Sequence, residues 1–182
     1  DWERPLMEAM AGIVSETPGD ILEVGFGLGI SATYIQEHNV RSHTIIECNN
    51  DVLARARRWM ENYKDRDIHL VQGKWQDATA GLGAFDGVFF DTYPTDEEEY
   101  RRAVIESVTF AGDFFPVAAQ LLRPGGIFTY YTNEIDSFSR RHQRLLFRWF
   151  RSCTLSIVKP LRPPDDCSYW WADSMVAVKA IK

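Results

Sequence analysis

The segment Ile21-Leu22-Glu23-Val24-Gly25-Phe26-Gly27-Leu28-Gly29 constrains the fold more than any other part of the chain. A short apolar run that closes on alternating glycines reads as the first strand of a doubly wound sheet. The glycines permit a tight turn into a helix and a close backbone approach to a bound nucleotide. The rest of the sequence keeps the same rhythm. Met7, Met10, Ala11 and Val14 follow helical spacing ahead of Thr17-Pro18-Gly19-Asp20. After the turn, residues 30–38 read as a helix and 43–47 as a strand. A helix over 51–63 follows, opened by an Asn/Asp cap, then a strand over 68–72 and a fourth ending on Val88-Phe89-Phe90. Residues 100–122 read as largely helical, and Arg123-Pro124-Gly125-Gly126 as the turn into a fifth strand over 127–131. A helix over 136–150 and two strands, 155–158 and 169–178, joined by a Pro-rich loop, complete the chain. Alternating elements predict a mostly parallel sheet covered by helices on both faces. The last two strands, with no helix between them, must be antiparallel.

Length and composition fit one domain over residues 1–182: 45% of the 182 residues are hydrophobic and 25% charged. Twenty basic against 26 acidic residues give −6, which argues against a nucleic-acid partner held through phosphates and is compatible with a cationic small substrate. Cys48, Cys153 and Cys167 form no C-x-x-C pair, so neither a disulfide framework nor a zinc site is expected. No apolar stretch approaches membrane-spanning length, and Asp1-Trp2-Glu3-Arg4 is no signal peptide; a cytoplasmic setting is expected. The abrupt start inside an apparent helix predicts that an upstream segment is missing.

Ligands of open α/β sheets lie beyond the carboxyl ends of the strands, and polar residues fall there. The turn is G-x-G-x-G with Glu23 just before it, which opposes a pyrophosphate. That carboxylate suits the ammonium and sulfonium of S-adenosylmethionine, so the pattern tilts from dehydrogenase toward methyltransferase. Glu47 ends the second strand 24 residues after Glu23, about the interval at which an acid meets ribose hydroxyls. Trp75-Gln76-Asp77 follows the third strand, where an adenine ring is expected, and Asp91 ends the fourth, where the reacting centre should be. His38, His43, His69 and His142 show no ligand spacing and receive no role. The run Asp96-Glu97-Glu98-Glu99 reads as a solvated first helical turn, and Arg140, Arg141 and Arg144 as surface residues.

The chain resembles the guanidinoacetate N-methyltransferases and the related arginine N-methyltransferases. The resemblance rests on Trp2-Glu3-Arg4-Pro5-Leu6-Met7, Leu22-Glu23-Val24-Gly25-Phe26-Gly27, Ile45-Ile46-Glu47-Cys48-Asn49, Gly73-Lys74-Trp75-Gln76-Asp77 and Phe85-Asp86-Gly87. It continues through Asp91-Thr92-Tyr93-Pro94, Leu121-Leu122-Arg123-Pro124-Gly125-Gly126 and Pro163-Pro164-Asp165-Asp166-Cys167, in the family's order. It implies a Rossmann-like, seven-stranded α/β sheet, mostly parallel with an antiparallel C-terminal strand. The implied S-adenosylmethionine site comprises Met7, Glu23, Gly25, Phe26, Gly27, Leu28, Gly29, Ile30, Ser31, Glu47, Cys48, Asn49, Trp75, Gln76 and Asp91. S-adenosylhomocysteine would be the product. Glu3 and Asp91 would grip a substrate guanidinium, with Asp91 also taking a proton, while Tyr93, Asn133 and Glu134 complete the substrate pocket. The implied activity is methyl transfer to a guanidino nitrogen of a small molecule such as guanidinoacetate. The alternatives are an arginine N-methyltransferase, on free or peptidyl arginine, and a cofactor-binding domain without turnover. Two departures stand out: Asn133-Glu134 replaces the family's neutral Leu-Thr pair, and the upstream aromatic residues that close over the family's active site are absent. The expected partner is the small guanidino compound, with a homodimer compatible and neither nucleic acid nor membrane expected.

Overall fold

The computed structural model describes residues 2–101, 109–167 and 169–182. Its strands are β1 (Asp20–Val24), β2 (Ser42–Glu47), β3 (Ile68–Gln72), β4 (Phe85–Phe90), β5 (Leu122–Thr132), β6 (Ser152–Val158) and β7 (Met175–Ile181). They form one sheet in the order β3-β2-β1-β4-β5-β7-β6. The first five pair in parallel, whereas β5–β7 and β6–β7 are antiparallel. The order in which strands are added to the sheet reverses between β1 and β4, which opens the ligand crevice at their carboxyl ends.

The helices are α1 (Arg4–Val14), α2 (Ile30–Glu37), α3 (Asn50–Met60), α4 (Trp75–Ala78), α5 (Glu97–Tyr100), α6 (Phe115–Leu121) and α7 (Arg140–Trp149). Side chains alternate across the sheet, so each strand feeds two cores. Ile21, Phe89 and Ala177 pack under α1 and α2, with Leu6, Met10 and Ile35. Leu22, Val88, Phe90, Phe128 and Val178 pack under α6 and α7, with Phe114, Phe115 and Leu146. At about 25 cal/mol per Å² of apolar surface, these two layers supply most of what opposes chain entropy. At the amino ends of the strands, Arg41 and Arg123 bridge Asp20 and Asp86, which ties β1, β4 and β5 together.

Several elements depart from the sequence reading. The helix expected over 136–150 starts at Arg140, where Ser139 accepts from the His142 amide as N-cap. The turn expected at 123–126 is instead the irregular start of β5, with a register shift against β4. Of the helix expected over 100–122, residues 102–108 lie outside the described residues. The remainder is a 3-10 turn over Phe110–Phe114 followed by α6. β7 starts at Met175, so Tyr169, Trp170 and Trp171 belong to a loop. Finally, Glu99 is not solvated. It is buried and accepts from Thr95 and Gln76. Burial acts to raise its carboxyl, but these donors outweigh it and hold the carboxyl below the usual range.

Candidate active site

Gly25 begins the cleft. Its φ is +93°, and a Cβ there would stand 2.0 Å from the Asp91 carbonyl oxygen. Only glycine lets the β1 turn run this close to the end of β4. The ladders continue past the strands, since the Gly25 amide donates to Ile46 and the Asp91 amide to Val24. Asp91 is thereby carried to the crevice floor. Glu3 arrives from the other side. It sits at the N-terminus of α1, with Pro5 in the first turn and the Glu3 carbonyl accepting from Leu6 and Met7. Its side chain accepts from the Tyr169 hydroxyl at 3.3 Å, and the Trp2 and Tyr169 rings lie 5.9 Å apart.

Glu3, Gly25, Gly27, Glu47, Cys48, Asn49, Asp91, Tyr93 and Asn133 line one open cleft of about 1530 Å³. That is roomier than the roughly 300–1,000 Å³ of a single-ligand site, so a nucleoside and a second small molecule can both enter. Trp75 and Gln76 face an adjoining recess with Glu47, Cys48 and Tyr93. The Trp75 ring stands edge-on to Phe90 and Phe114, so one flank anchors in the core. Asn49 caps α3, accepting from Asp51 and Val52.

Other expected site residues stand behind the cleft. Glu23 is fully buried, accepts from the Ser31 hydroxyl and lies 2.9 Å from His43 Nε2, without the alignment of a hydrogen bond. Met7 and Phe26 are core residues, Ile30 packs beside Met7, and a Cβ on Gly29 would strike the Phe26 ring. Leu28 is 66% exposed on the rim of the turn. Glu134 turns away from the cleft. Its carboxylate accepts from His142 Nδ1 at 2.6 Å and from the Ser139 amide, while His142 Nε2 meets the Tyr130 hydroxyl at 2.6 Å. A carboxylate beside a helix start is drawn to the free amides there, and nothing in the local sequence pattern announces a buried histidine. Tyr131, Tyr169, Trp170 and Trp171, to which the sequence reading gave no place in the site, also line the cleft.

The cleft is anionic. Burial pushes the Asp91 carboxyl up to about 7, with the Glu3 and Glu23 carboxylates adding to the rise. Burial raises Glu3 as well, against the Tyr169 hydrogen bond, and raises the Tyr169 phenol to about 12, helped by Glu3. Lys74, the cation among the described lining residues, pairs with Asp96 at 3.3 Å. Glu47 accepts from the amides of Phe26, Cys48 and Asn49, which leaves about one of a carboxylate's four lone-pair sites for a ligand hydroxyl. These acceptors fit a cationic ligand that also carries hydroxyl groups. Among the described residues no group of three or more His, Cys, Asp or Glu is placed to hold a metal, and no helix is long and apolar enough to cross a membrane.

The family model for guanidinoacetate N-methyltransferase matches residues 1–182. Protein arginine N-methyltransferase 2 of Candida glabrata is 32% identical over 142 residues, which are 72% of this chain and 31% of that protein. The Saccharomyces cerevisiae protein of the same name is 30% identical over 142 residues, with the same coverage. The chain thus spans about a third of the length of these relatives. Among solved structures, N-methyltransferase NodS from Bradyrhizobium japonicum superposes with a TM-score of 0.71 at 12% identity, covering 99% of this chain and 96% of that one. M. jannaschii TYW2 in complex with AdoMet gives 0.70 at 14% identity, covering 100% and 75%. S-adenosylmethionine is therefore the cofactor of this fold, and the chain belongs to the guanidinoacetate N-methyltransferase family.

Proposed function

We propose that this chain transfers a methyl group to a guanidino nitrogen of a small cationic acceptor such as guanidinoacetate. The observation that carries this reading is the pairing of Glu3 with Asp91, whose carboxyl is driven to about 7 by burial and by neighbouring acids. The ligand-free cleft holds more negative charge than it can solvate. A guanidinium relieves that imbalance, and its planar fork matches carboxylates bidentately.

Glu47, Gly25, Gly27, Cys48 and Asn49 would hold the cofactor's nucleoside, with Trp75 and Gln76 flanking its base. Bound there, S-adenosylmethionine supplies an electrophilic methyl group on a sulfonium. Reacting atoms must approach within about 3–3.5 Å, where two unit positive charges repel by roughly 5 kcal/mol at an effective dielectric near 20. Two carboxylates, Glu3 and Asp91, balance both charges; one would leave the cleft net positive. A guanidinium pKa near 13.8 stands about 7 above that of Asp91, so removing the proton in advance costs on the order of 9 kcal/mol. Asp91 therefore takes the proton as the attacked nitrogen loses its delocalisation, not before. On this reading the chain works in the cytoplasm on a small molecule, without nucleic acid or membrane.

Arginine, free or peptidyl, is the second reading, and the names of the curated relatives favour it. Its additional amine would meet Asn133 rather than Glu134, whose carboxylate is taken up by His142 and Ser139. The test is calorimetric titration of S-adenosylhomocysteine into the protein, followed by guanidinoacetate, arginine, agmatine or an arginine-bearing peptide. Guanidinoacetate binding that Glu3→Gln abolishes supports the first reading, and preference for an arginine compound transfers the function to the second. Cofactor binding with no guanidino ligand retained would overturn both.

A further inference from the structure

Of the four acids that run from Asp96 to Glu99, the last is buried. Glu99 lies in the first turn of α5, and its amide donates to the Asp96 side chain at 2.9 Å. Its Oε2 reaches back to accept from the Thr95 amide at 2.8 Å and from the Thr95 hydroxyl at 2.9 Å. This is the reciprocal logic of a capping box, displaced by one residue, and it fixes the carboxylate without help from any ligand. Oε1 accepts from Gln76 Nε2 at 2.8 Å, from the first turn of α4. Burial acts to raise the carboxyl, but the Thr95 and Gln76 donors outweigh it and hold it below the usual range, so Glu99 is ionised at neutral pH.

An ionised carboxylate accepts hydrogen bonds and donates none. Gln76 must therefore turn its NH₂ toward Glu99, which leaves its carbonyl Oε1 as the free end of the amide. Gln76 and Glu99 line the same recess beside the cleft, with Trp75 and Cys48. A glutamine without such a partner flips and offers a donor or an acceptor alike. One locked on a carboxylate offers an acceptor alone. Beside a purine, an acceptor discriminates by the group at position 6: an amino group donates to it, whereas an oxo group sets oxygen against oxygen.

We infer, resting on the placement of the cofactor's base beside Trp75 and Gln76, that Glu99 is a positioning residue for cofactor selection: it locks the Gln76 amide so that Oε1 accepts from the adenine 6-amino group and rejects a 6-oxo purine. The carboxylate acts through Gln76 and does not itself meet the base.

The test is calorimetric titration of S-adenosylhomocysteine and of S-inosylhomocysteine, its 6-oxo analogue, into the full chain. The analogue also carries a proton on N1, but that difference is common to every variant, so ratios of the two affinities are compared. Wild type should prefer the adenosyl compound at least tenfold. In the isosteric Glu99→Gln the Thr95 donors draw the new carbonyl oxygen, and the new NH₂ faces Gln76. The Gln76 amide then turns over and offers Nε2 to the recess. The preference should fall at least tenfold, largely through tighter binding of the inosyl compound, which a general loss of structure would not produce. Gln76→Ala should also lower the preference, and adding Glu99→Gln to it should change the ratio no further. An unchanged ratio in Glu99→Gln, or equal weakening of both ligands, would reduce Glu99 to a helix cap and overturn the inference. A shift that persists in the Gln76→Ala background would overturn it too, because Glu99 would then act directly. Both results leave the cofactor reading intact; a wild-type chain that binds no S-adenosylhomocysteine would overturn that reading and this inference together.

Discussion

Replacing Asp91 by asparagine should remove the activity and stabilise the ligand-free protein, and the stabilisation should depend on pH. The folded state holds the Asp91 proton up to about pH 7, whereas the unfolded chain releases it near 3.8. Between these values the native state binds more protons than the unfolded state, so stability falls as pH rises, and the full loss is reached above pH 7. At about 1.4 kcal/mol per pKa unit, ionised Asp91 costs the empty fold on the order of 4 kcal/mol. Partial solvent access in the cleft and an asparagine amide without its own partners trim the expected gain to about 2–4 kcal/mol. In a chain of this size that raises the melting temperature by roughly 4–16 °C. The assay is thermal unfolding of both proteins from pH 4 to pH 8.5, with methyl transfer measured in parallel. The two melting curves should coincide near pH 4 and separate steadily toward pH 8. A guanidino ligand should then stabilise the wild type more than Asp91→Asn, because it neutralises the same charge. Curves that stay parallel across the range, or turnover that survives the substitution, would refute the reasoning.

Three other outcomes follow from the geometry. Glu47→Gln puts an amide NH₂ in place of one of the two oxygens that accept from three backbone amides, so one or two of them lose their acceptor; stability should fall by about 1–3 kcal/mol and S-adenosylhomocysteine affinity tenfold or more, by calorimetry. Gly25→Ala sets a Cβ 2.0 Å from the Asp91 carbonyl at φ +93°, so the variant should lose cofactor binding and melt lower, whereas wild-type affinity would exclude the close approach. Asp20→Asn breaks the bridges to Arg41 and Arg123; Arg41 holds the Asp20 carboxyl well below its usual range. The variant should be destabilised by about 1–2 kcal/mol at neutral pH, and the difference should shrink as pH falls below about 4, because the folded state releases the Asp20 proton more readily than the unfolded chain.

The site divides by the kind of information each part needs. Gly25, Glu47 and Asp91 were legible because their roles follow from a local rule: the end of a parallel strand faces the ligand. Glu3 was legible through its motif with Trp2 and Pro5, not through any periodicity. Glu134 and Asn133 are sequence neighbours that the chain separates, one turned to α7 and the other to the cleft, because the Ser139 amide and His142 take up the Glu134 carboxylate.

By itself, the sequence determined the alternation of strands and helices, the antiparallel ending, the glycine turn and the acids at strand ends, since these depend on residues close together in the chain. Tertiary structure alone decided which side chains face the cleft. It buried Glu23 and Met7 behind the turn, brought Tyr169 to Glu3 across 166 residues, and raised Asp91 by surrounding it with Glu3, Glu23 and apolar walls. It also left β6 bare at the sheet edge. Burial, electrostatic coupling and edge exposure depend on distances between residues remote in sequence, and only packing sets those distances.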